Sequence, residues 1–207
     1  GEGVGVYNNG SWNFYNSSNS GILNDYINDL EINSDGDMLM GTGDGLCVYT
    51  NSGEWLYLQD PVVPMDIKAV KYTSEGATWL GTDGEGFFVD WGSGFFHYKF
   101  TGCEYVNAIE EDSHGDVWLG TSTGLWRYNG SSVALTYNSA NGLPEDEVST
   151  LFFDSQNRLW IGTEGGETVS WLSTSGILHQ FSLRNGGANY IRDIYEDRKG
   201  DLWFATW

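Results

Sequence analysis

The stretch Val106–Glu147 reads VNAIEEDSHGDVWLGTSTGLWRYNGSSVALTYNSANGLPEDE and holds one complete unit of a repeat that organises the whole chain. Val106–Glu111 is predicted to be a strand, and Asp112–Gly115 a turn in which the Asp side chain bonds the backbone ahead. The following strands are predicted over Asp116–Thr121, Leu125–Tyr128 and Val133–Tyr137. One unit is therefore expected to be a sheet of four antiparallel strands.

The unit recurs at intervals of about 40 residues, which is typical of repeat folds in which one unit cannot bury its apolar face alone. Its marker is a Gly-Thr pair at Gly41-Thr42, Gly81-Thr82, Gly120-Thr121 and Gly162-Thr163, with Ala205-Thr206 in an incomplete fifth copy. The first residues of the chain supply the missing half. Trp207 joined to Gly1 gives TWGEGVGVY, which matches TDGEGFFVD at Thr82–Asp90, so the repeat is circular.

A circular repeat favours a β-propeller, in which four-stranded blades pack face to face around an axis. We predict one all-β domain over residues 1–207, a five-bladed propeller with four antiparallel strands per blade. The blades are expected at residues 26–66, 67–105, 106–147, 148–190, and 191–207 together with 1–25. In the last blade the C-terminal strands would pair with the N-terminal strands, which closes the ring and removes two sheet edges.

The second strand carries an aromatic residue in most units. The residues at this position are Trp79, Trp118, Trp160 and Trp203, with Leu39 in the first unit. Because both faces of a blade are covered by its neighbours, these side chains are expected to pack between blades. A ligand-binding role for them is the less favoured interpretation.

Composition excludes several classes of partner. The formal net charge of −20, from 29 acidic and 9 basic residues, repels phosphate backbones and anionic membrane surfaces, so no nucleic acid partner is expected. No apolar run is long enough to span a membrane, so no membrane insertion is expected either. The chain has two cysteines, Cys47 and Cys103, which is too few for a disulfide framework to stabilise the fold. Whether they form a disulfide is left open. A monomer is expected.

The phrase NGLPEDEVSTLFFDSQNRLWIGTEGG at Asn141–Gly166, together with IRDIYEDRKGDLWFAT at Ile191–Thr206, resembles the two-component regulator propeller repeat. The resemblance implies the periplasmic sensory region of bacterial hybrid histidine kinases, many of which are thought to respond to polysaccharide fragments. It therefore implies a periplasmic or cell-surface location, including that of a lipoprotein whose signal has been removed. The family's sensors carry more repeats than this chain has. The resemblance therefore supports the fold more strongly than it supports the signalling role.

One end of the predicted blades is the better candidate for a binding site, because the longer and more irregular loops emerge there. Aromatic rings mixed with amides and carboxylates suit a neutral sugar, whose apolar face stacks and whose hydroxyls find partners. This end surrounds the mouth of the central channel of the predicted propeller. The candidate ligand-binding residues there are Tyr26, Asn28, Lys68, Asp83, Glu85, Tyr105, Asn107, Glu164, Tyr190, Arg192 and Trp207. Plain structural packing is the alternative interpretation for the tyrosines.

Two other kinds of site stay open. Ca²⁺ prefers several oxygen ligands, which this end offers, but no dense Asp-rich loop is present and no cofactor is predicted. Carboxylate pairs such as Asp83 with Glu85, or Glu164 with Glu167, would suit the acid and base of a carbohydrate-active hydrolase or lyase. No catalytic residue is assigned, because His97, His114 and His179 are scattered and no sialidase-type Asp box is matched.

The sequence thus predicts a non-enzymatic, exported recognition or scaffold propeller that binds an oligosaccharide or another protein. A hydrolase or lyase on the same scaffold is the alternative from a different class. A module that only docks another protein is the third.

Overall fold

The computed structural model describes residues 2–58, 66–165, 168–182 and 190–206. These ranges contain 20 β-strands and no α-helix, so the all-β prediction is confirmed. Among them there is accordingly no helical segment with the length and hydropathy of a membrane span. The chain divides into two compact units, Gly1–Lys99 and Phe100–Trp207, and each is described by itself.

Unit 1 contains one two-stranded and two four-stranded sheets, all antiparallel and in chain order. The two-stranded sheet consists of β1 (Val4–Asn8) and β2 (Ser11–Tyr15). The first four-stranded sheet consists of β3 (Ile27–Ile32), β4 (Met38–Thr42), β5 (Gly45–Tyr49) and β6 (Trp55–Tyr57). The second consists of β7 (Ile67–Tyr72), β8 (Thr78–Thr82), β9 (Phe87–Asp90) and β10 (Phe95–Tyr98).

Unit 2 contains two four-stranded sheets followed by a two-stranded one. The first sheet consists of β11 (Val106–Glu111), β12 (Val117–Thr121), β13 (Gly124–Tyr128) and β14 (Val133–Tyr137). The second consists of β15 (Val148–Phe153), β16 (Leu159–Thr163), β17 (Thr168–Leu172) and β18 (Leu178–Ser182). The two-stranded sheet consists of β19 (Ile191–Glu196) and β20 (Leu202–Thr206).

The four strands predicted within Val106–Glu147 are confirmed, and β11 and β14 have the predicted bounds. Sheets of four antiparallel strands are therefore the repeating element, as expected. The fifth four-stranded sheet is not shown, because residues 4–15 and residues 191–206 form separate two-stranded sheets. The count of five blades and the closure of the ring stay predictions.

Within a unit, the glycine of a Gly-Thr pair lies close to the first strand of the following sheet, as Gly41 does in unit 1 and Gly120 and Gly162 do in unit 2. A Cβ added at Gly41 would lie 2.9 Å from Ile67 Cγ2, and one added at Gly120 would lie 2.6 Å from Val148 Cγ1. Real Cβ atoms do not tolerate such contacts, so a side chain here would push the two sheets apart. The glycine of the repeat is explained by packing between sheets.

The threonine of each pair closes the turn to the third strand. Its buried hydroxyl donates to the carbonyl of the glycine that opens or precedes that strand, at 2.8 Å from Thr42 to Gly45 and 2.9 Å from Thr121 to Gly124. The same oxygen accepts the N–H of a turn residue, as Thr121 Oγ1 does from Thr123 at 3.1 Å. One hydroxyl therefore satisfies two backbone groups of a buried turn.

We expect Thr121→Val to lower the free energy of unfolding by about 1–3 kcal/mol, because the change leaves a buried carbonyl and an N–H without their partner. The exposed Thr101 provides the control, and Thr101→Val should stay within about 0.5 kcal/mol of the parent. Chemical denaturation measures both. Equal stability of the two variants would show that the turn does not depend on the hydroxyl.

Each first strand contains a β-bulge at its second residue. The register shifts between Ile27 and Asp29 in β3, and again between Val106 and Ala108 in β11. A bulged residue leaves the hydrogen-bonded ladder and its side chain is re-aimed. The five bulged residues are Asn28, Lys68, Asn107, Ser149 and Arg192.

The core of each unit lies between its sheets, and tryptophans of the second strands contribute to it. Trp79, Trp118 and Trp160 are 2%, 6% and 7% exposed, as the packing prediction requires. Each of the last two donates its indole N–H to the aspartate of the preceding turn, Trp118 to Asp112 at 3.1 Å and Trp160 to Asp154 at 2.7 Å.

Trp203 occupies the same position on β20 but is 63% exposed. Its indole N–H still donates to Asp197 at 3.1 Å, so the local turn is formed. Among the described strands of unit 2, however, β20 hydrogen-bonds only to β19. The packing predicted for Trp203 is therefore not present within that unit.

Candidate functional site

Three positions of each repeat lie together at one end of its sheet: the residue before the first strand, the bulged residue and the residue after the Gly-Thr pair. A backbone hydrogen bond joins the first to the third, as from Asp83 N to Asp66 O at 3.2 Å and from Glu164 N to Glu147 O at 2.8 Å. We call these positions the strand-end layer. In chain order they are Tyr26, Asn28 and Gly43; Asp66, Lys68 and Asp83; Tyr105, Asn107 and Ser122; Glu147, Ser149 and Glu164; and Tyr190 and Arg192.

The strand-end layer contains nine of the eleven residues predicted as ligand-binding. Glu85 lies two residues beyond it, in the turn before β9. Trp207, the remaining one, lies outside the described residues. Four of these nine residues are bulged residues, and the bulges were not predicted from the sequence.

In unit 1 the layer holds an ion-pair cluster around Lys68. Its Nζ lies 3.0 Å from Asp66 Oδ2 and 3.5 Å from Asp83 Oδ2. Partial burial by itself lowers the pKa of Lys68, but the hydrogen bond and charge of Asp66, with those of Asp83, outweigh it and raise that pKa. The Asn28 amide completes the cluster by donating to Asp66 Oδ1 at 3.2 Å. The two carboxylates are thus held by one ammonium and one amide.

In unit 2 the layer brings together Glu164, Tyr190 and Arg192, all predicted as ligand-binding, with Glu147. Burial raises the pKa of Tyr190 to about 12, and its hydrogen bond to Glu164 acts in the same direction. The Arg192 guanidinium carbon lies 4.4 Å from the centroid of the Tyr190 ring. Burial also raises the pKa of Glu147, and the negative charge of Glu164 adds to the effect. The cluster therefore offers a protonated phenol, a guanidinium and two neighbouring carboxyl groups.

Other bulged side chains tie one sheet to the next. Asn107 Nδ2 donates to Val148 O at 3.0 Å, and Ser149 Oγ donates to Ile191 O at 2.6 Å. Asn28 makes the same kind of bond, to the Ile67 carbonyl at 2.7 Å. Asn28 and Asn107 were predicted as ligand contacts. In the structure their side-chain amides donate hydrogen bonds that join neighbouring sheets.

Two tyrosines of the layer present their rings to solvent. Tyr26 in unit 1 is 67% exposed, and Tyr105 in unit 2 is 49% exposed. Their backbones are fixed, because Tyr26 N donates to Asn24 Oδ1 at 2.8 Å and Tyr105 O accepts from Ser122 N at 3.2 Å. A fixed backbone carrying an exposed aromatic ring is suited to stacking on a ligand.

The Glu85 side chain forms an ion pair with Lys99. Its Oε2 lies 2.9 Å from Lys99 Nζ, and its carbonyl is 2.7 Å from His97 Nε2. The Lys99 hydrogen bond and charge lower the pKa of Glu85. Its carboxyl therefore keeps its negative charge at neutral pH and lacks the raised pKa of a general acid. Glu167, the proposed partner of Glu164, lies outside the described residues.

The cysteines are free and fully buried, so the disulfide left open by the sequence is not formed. Burial raises the pKa of Cys47, and it raises that of Cys103 to about 12. Both thiols therefore stay protonated and act as small apolar groups. In the part of the chain that the structure describes, no three His, Cys, Asp or Glu side chains are grouped to hold a metal ion.

The family described as two component regulator propeller has a model that matches residues 102–123, 142–165 and 185–207. These segments span the Gly-Thr turns and strand-end layer of unit 2. Three segments of the chain are thus similar to two component regulator propeller repeats. The resemblance seen in the sequence is thereby confirmed. No curated protein gives a match.

Solved structures with similar folds include other propeller proteins. The extracellular domain of a proposed hybrid two-component system of B. thetaiotaomicron is 24% identical, with a TM-score of 0.83, over 99% of this chain and 29% of that one. That of a proposed one-component system of the same organism is 17% identical, with a TM-score of 0.69, over 99% and 36%. Virginiamycin B lyase of Staphylococcus aureus is 14% identical, with a TM-score of 0.73, over 86% and 62%. These likenesses show the propeller-type fold, and the chain spans less than two thirds of each of these proteins.

Proposed function

We propose that this chain is a recognition propeller of an exported, sensor-type protein and that its strand-end layer binds a neutral oligosaccharide. The observation that carries the proposal is the half-exposed Tyr105 ring on a layer that also holds Glu147, Glu164, Tyr190 and Arg192. Sugar sites combine an aromatic surface for the apolar ring face with polar groups for the hydroxyls. The extracellular or periplasmic location is part of the proposal and rests on the likeness to extracellular sensor domains.

Charge favours a neutral ligand over an anionic one. The chain has a formal net charge of −20, and the cations of the layer are already engaged: Lys68 by Asp66 and Asp83, and Arg192 by the Tyr190 ring. An anionic saccharide would have to compete with these partners inside a repulsive field. Hydroxyl groups can instead share the carboxylates and the Tyr190 phenol without displacing an ion pair.

Calorimetric titration with a panel of neutral oligosaccharides tests the proposal. We expect binding by the parent and a loss of at least about tenfold in affinity for Tyr105→Ala, which corresponds to about 1.4 kcal/mol. Tyr57→Ala is the matched control, because Tyr57 is also 49% exposed but lies on the outer strand β6. Failure of every neutral oligosaccharide to bind, or equal affinities of the two variants, would refute the site.

One observation favours a second candidate, a carbohydrate-active hydrolase or lyase. Glu147 has a raised pKa beside Glu164, which is how an enzyme prepares a general acid next to a carboxylate. If oligosaccharides are turned over, Glu147→Gln and Glu164→Gln should each abolish the reaction. Binding without turnover in the parent would leave the recognition role as the better account.

We also propose that the ring closes with five blades, in which β20 hydrogen-bonds to β1. Two separate observations support closure. In unit 1 the β1–β2 hairpin exposes Tyr7, Trp12 and Phe14 at 61%, 60% and 65%, and in unit 2 Tyr195 and Trp203 are 61% and 63% exposed. In a closed ring the neighbouring sheets would pack over these apolar faces.

A further inference from the structure

Unit 2 contains a cavity of 310 Å³ between its two four-stranded sheets. The cavity lies at the hairpin end of the strands, beside the turns 112–115, 154–157 and 173–176, and so at the opposite end from the strand-end layer. It is therefore a separate feature from the site proposed above. None of the eleven residues predicted from the sequence as ligand-binding lines it.

The floor of the cavity is apolar. It is formed by Trp118, Phe153, Leu159 and Leu172. Trp118, Leu159 and Leu172 belong to the buried core between the two sheets, and Phe153 packs against that core. The floor is thus a rigid surface, because its side chains are fixed by close packing.

Two hydrogen bonds join the two sheets at the edge of the cavity. Asn157 Nδ2 donates to Ser113 Oγ at 2.9 Å, joining the two turns that follow the first strands. Tyr137 OH donates to Gly176 O at 2.9 Å, joining β14 to the turn between β17 and β18. Asn157 has a φ of 59°, a left-handed conformation that Asn tolerates better than most residues. The walls are therefore positioned before any ligand arrives.

The Arg127 guanidinium at the cavity already has partners. The Arg127 guanidinium lies 5.2 Å from the centroid of the Trp118 ring and its Nε donates to Asp116 Oδ2 at 2.9 Å. His114, on the rim, has Nδ1 3.8 Å from Asp112 Oδ1. An anionic ligand would therefore have to compete with Asp116 for the Arg127 guanidinium. The rest of the rim supplies hydroxyl groups from Thr136, Ser173, Thr174 and Ser175.

We propose that this cavity is a second binding site, for a neutral hydroxyl-rich ring such as a single hexose unit. An apolar floor with a rim of hydroxyls, an amide and a guanidinium matches a sugar ring, which has one C–H face and a periphery of hydroxyls. The cavity is at the lower end of the size range of ligand pockets, about 300–1,000 Å³, so it holds one ring and not a long oligomer.

The test uses the full chain, isotope-labelled, titrated with glucose, galactose, mannose and N-acetylglucosamine while amide ¹H–¹⁵N shifts are followed. At least one sugar should cause saturable shifts at Asn157 and at residues 173–176. Ser175→Trp should fill the cavity and weaken this binding at least about tenfold. Ser52→Trp is the matched control, because Ser52 occupies the same place in the β5–β6 turn, with its Oγ 2.8 Å from Thr50 Oγ1 as Ser175 Oγ is 2.9 Å from Ser173 Oγ.

The outcomes separate this site from the strand-end layer. Tyr105→Ala should leave the shifts at residues 173–176 unchanged, since Tyr105 lies at the other end of the strands. Shifts confined to the strand-end layer would overturn the second site while supporting the first. Absence of shifts with all four sugars, or equal binding by the parent and Ser175→Trp, would also overturn it.

Discussion

A chain that begins at Asn16 is expected to be recovered as aggregates or oligomers instead of a soluble folded monomer. The truncation removes β1 and β2, and with them Tyr15, whose ring centroid lies 5.9 Å from that of Tyr49 and 5.5 Å from that of Trp55. It exposes this aromatic surface of the β3–β6 sheet. On our account it also leaves β20 with a free hydrogen-bonding edge, which invites pairing between chains.

A circular permutant separates this effect from the loss of residues as such. The permutant begins at Tyr26, joins Trp207 directly to Gly1 and ends at Asp25, so it retains every residue. If β20 and β1 are neighbours, the permutant should be a soluble monomer with the strand content of the parent. Size-exclusion chromatography with light scattering measures both chains. A truncated chain that is a folded monomer, or a permutant that aggregates, would contradict closure.

Trp118→Ala and Trp203→Ala are expected to lower the free energy of unfolding by similar amounts, each about 3–5 kcal/mol. For Trp118 the reason lies within unit 2, where the ring is 6% exposed and belongs to the core between two sheets. For Trp203 the reason is the proposed closure, which would cover a ring that is 63% exposed in the structure. The pair therefore tests whether equivalent positions have equivalent surroundings.

Urea denaturation followed by far-ultraviolet circular dichroism measures both variants against the parent. An exposed substitution away from special features changes stability by about 0.5 kcal/mol or less. If Trp203→Ala falls in that range while Trp118→Ala does not, Trp203 has no packing partner in solution. The proposal that the two half-sheets form one blade would then be wrong.

The strands and turns were predictable because their signals are local. Asp112 does what its position in the turn predicts: its Oδ1 accepts the N–H of His114 at 2.9 Å and of Asp116 at 3.1 Å. The Gly-Thr pair repeats because its threonine bonds across a turn only a few residues long. Burial of Trp79, Trp118 and Trp160 followed from the expectation that both faces of a sheet are covered.

The bulges and the second cavity were not predictable, because they depend on partners far away in the sequence. In the sequence, Asn107 is a polar residue with no evident partner. In the structure its side-chain amide donates to the carbonyl of Val148, in the next sheet. Likewise, Ser175 and Arg127 line one cavity only because two successive sheets stack. A repeat pattern shows which residues are equivalent but not which neighbouring backbone each one meets.

The most direct test of the account is a disulfide between β1 and β20. The match of TWGEGVGVY to Thr82–Asp90 aligns Val4 with Phe87 and Ala205 with Gly81, and Phe87 pairs with Gly81 across β8 and β9. Cysteines at such facing positions have Cα atoms about 5.5 Å apart, within reach of a disulfide.

We therefore predict that the Val4→Cys, Ala205→Cys double variant forms an intramolecular disulfide under mild oxidation, detected by mass spectrometry of the unreduced monomer. The Asn8→Cys, Ala205→Cys variant, displaced along β1, should form it far less. Buried Cys47 and Cys103 should not compete. If the new thiols stay reduced, or link only between chains, the two ends of the molecule are not partners in one sheet.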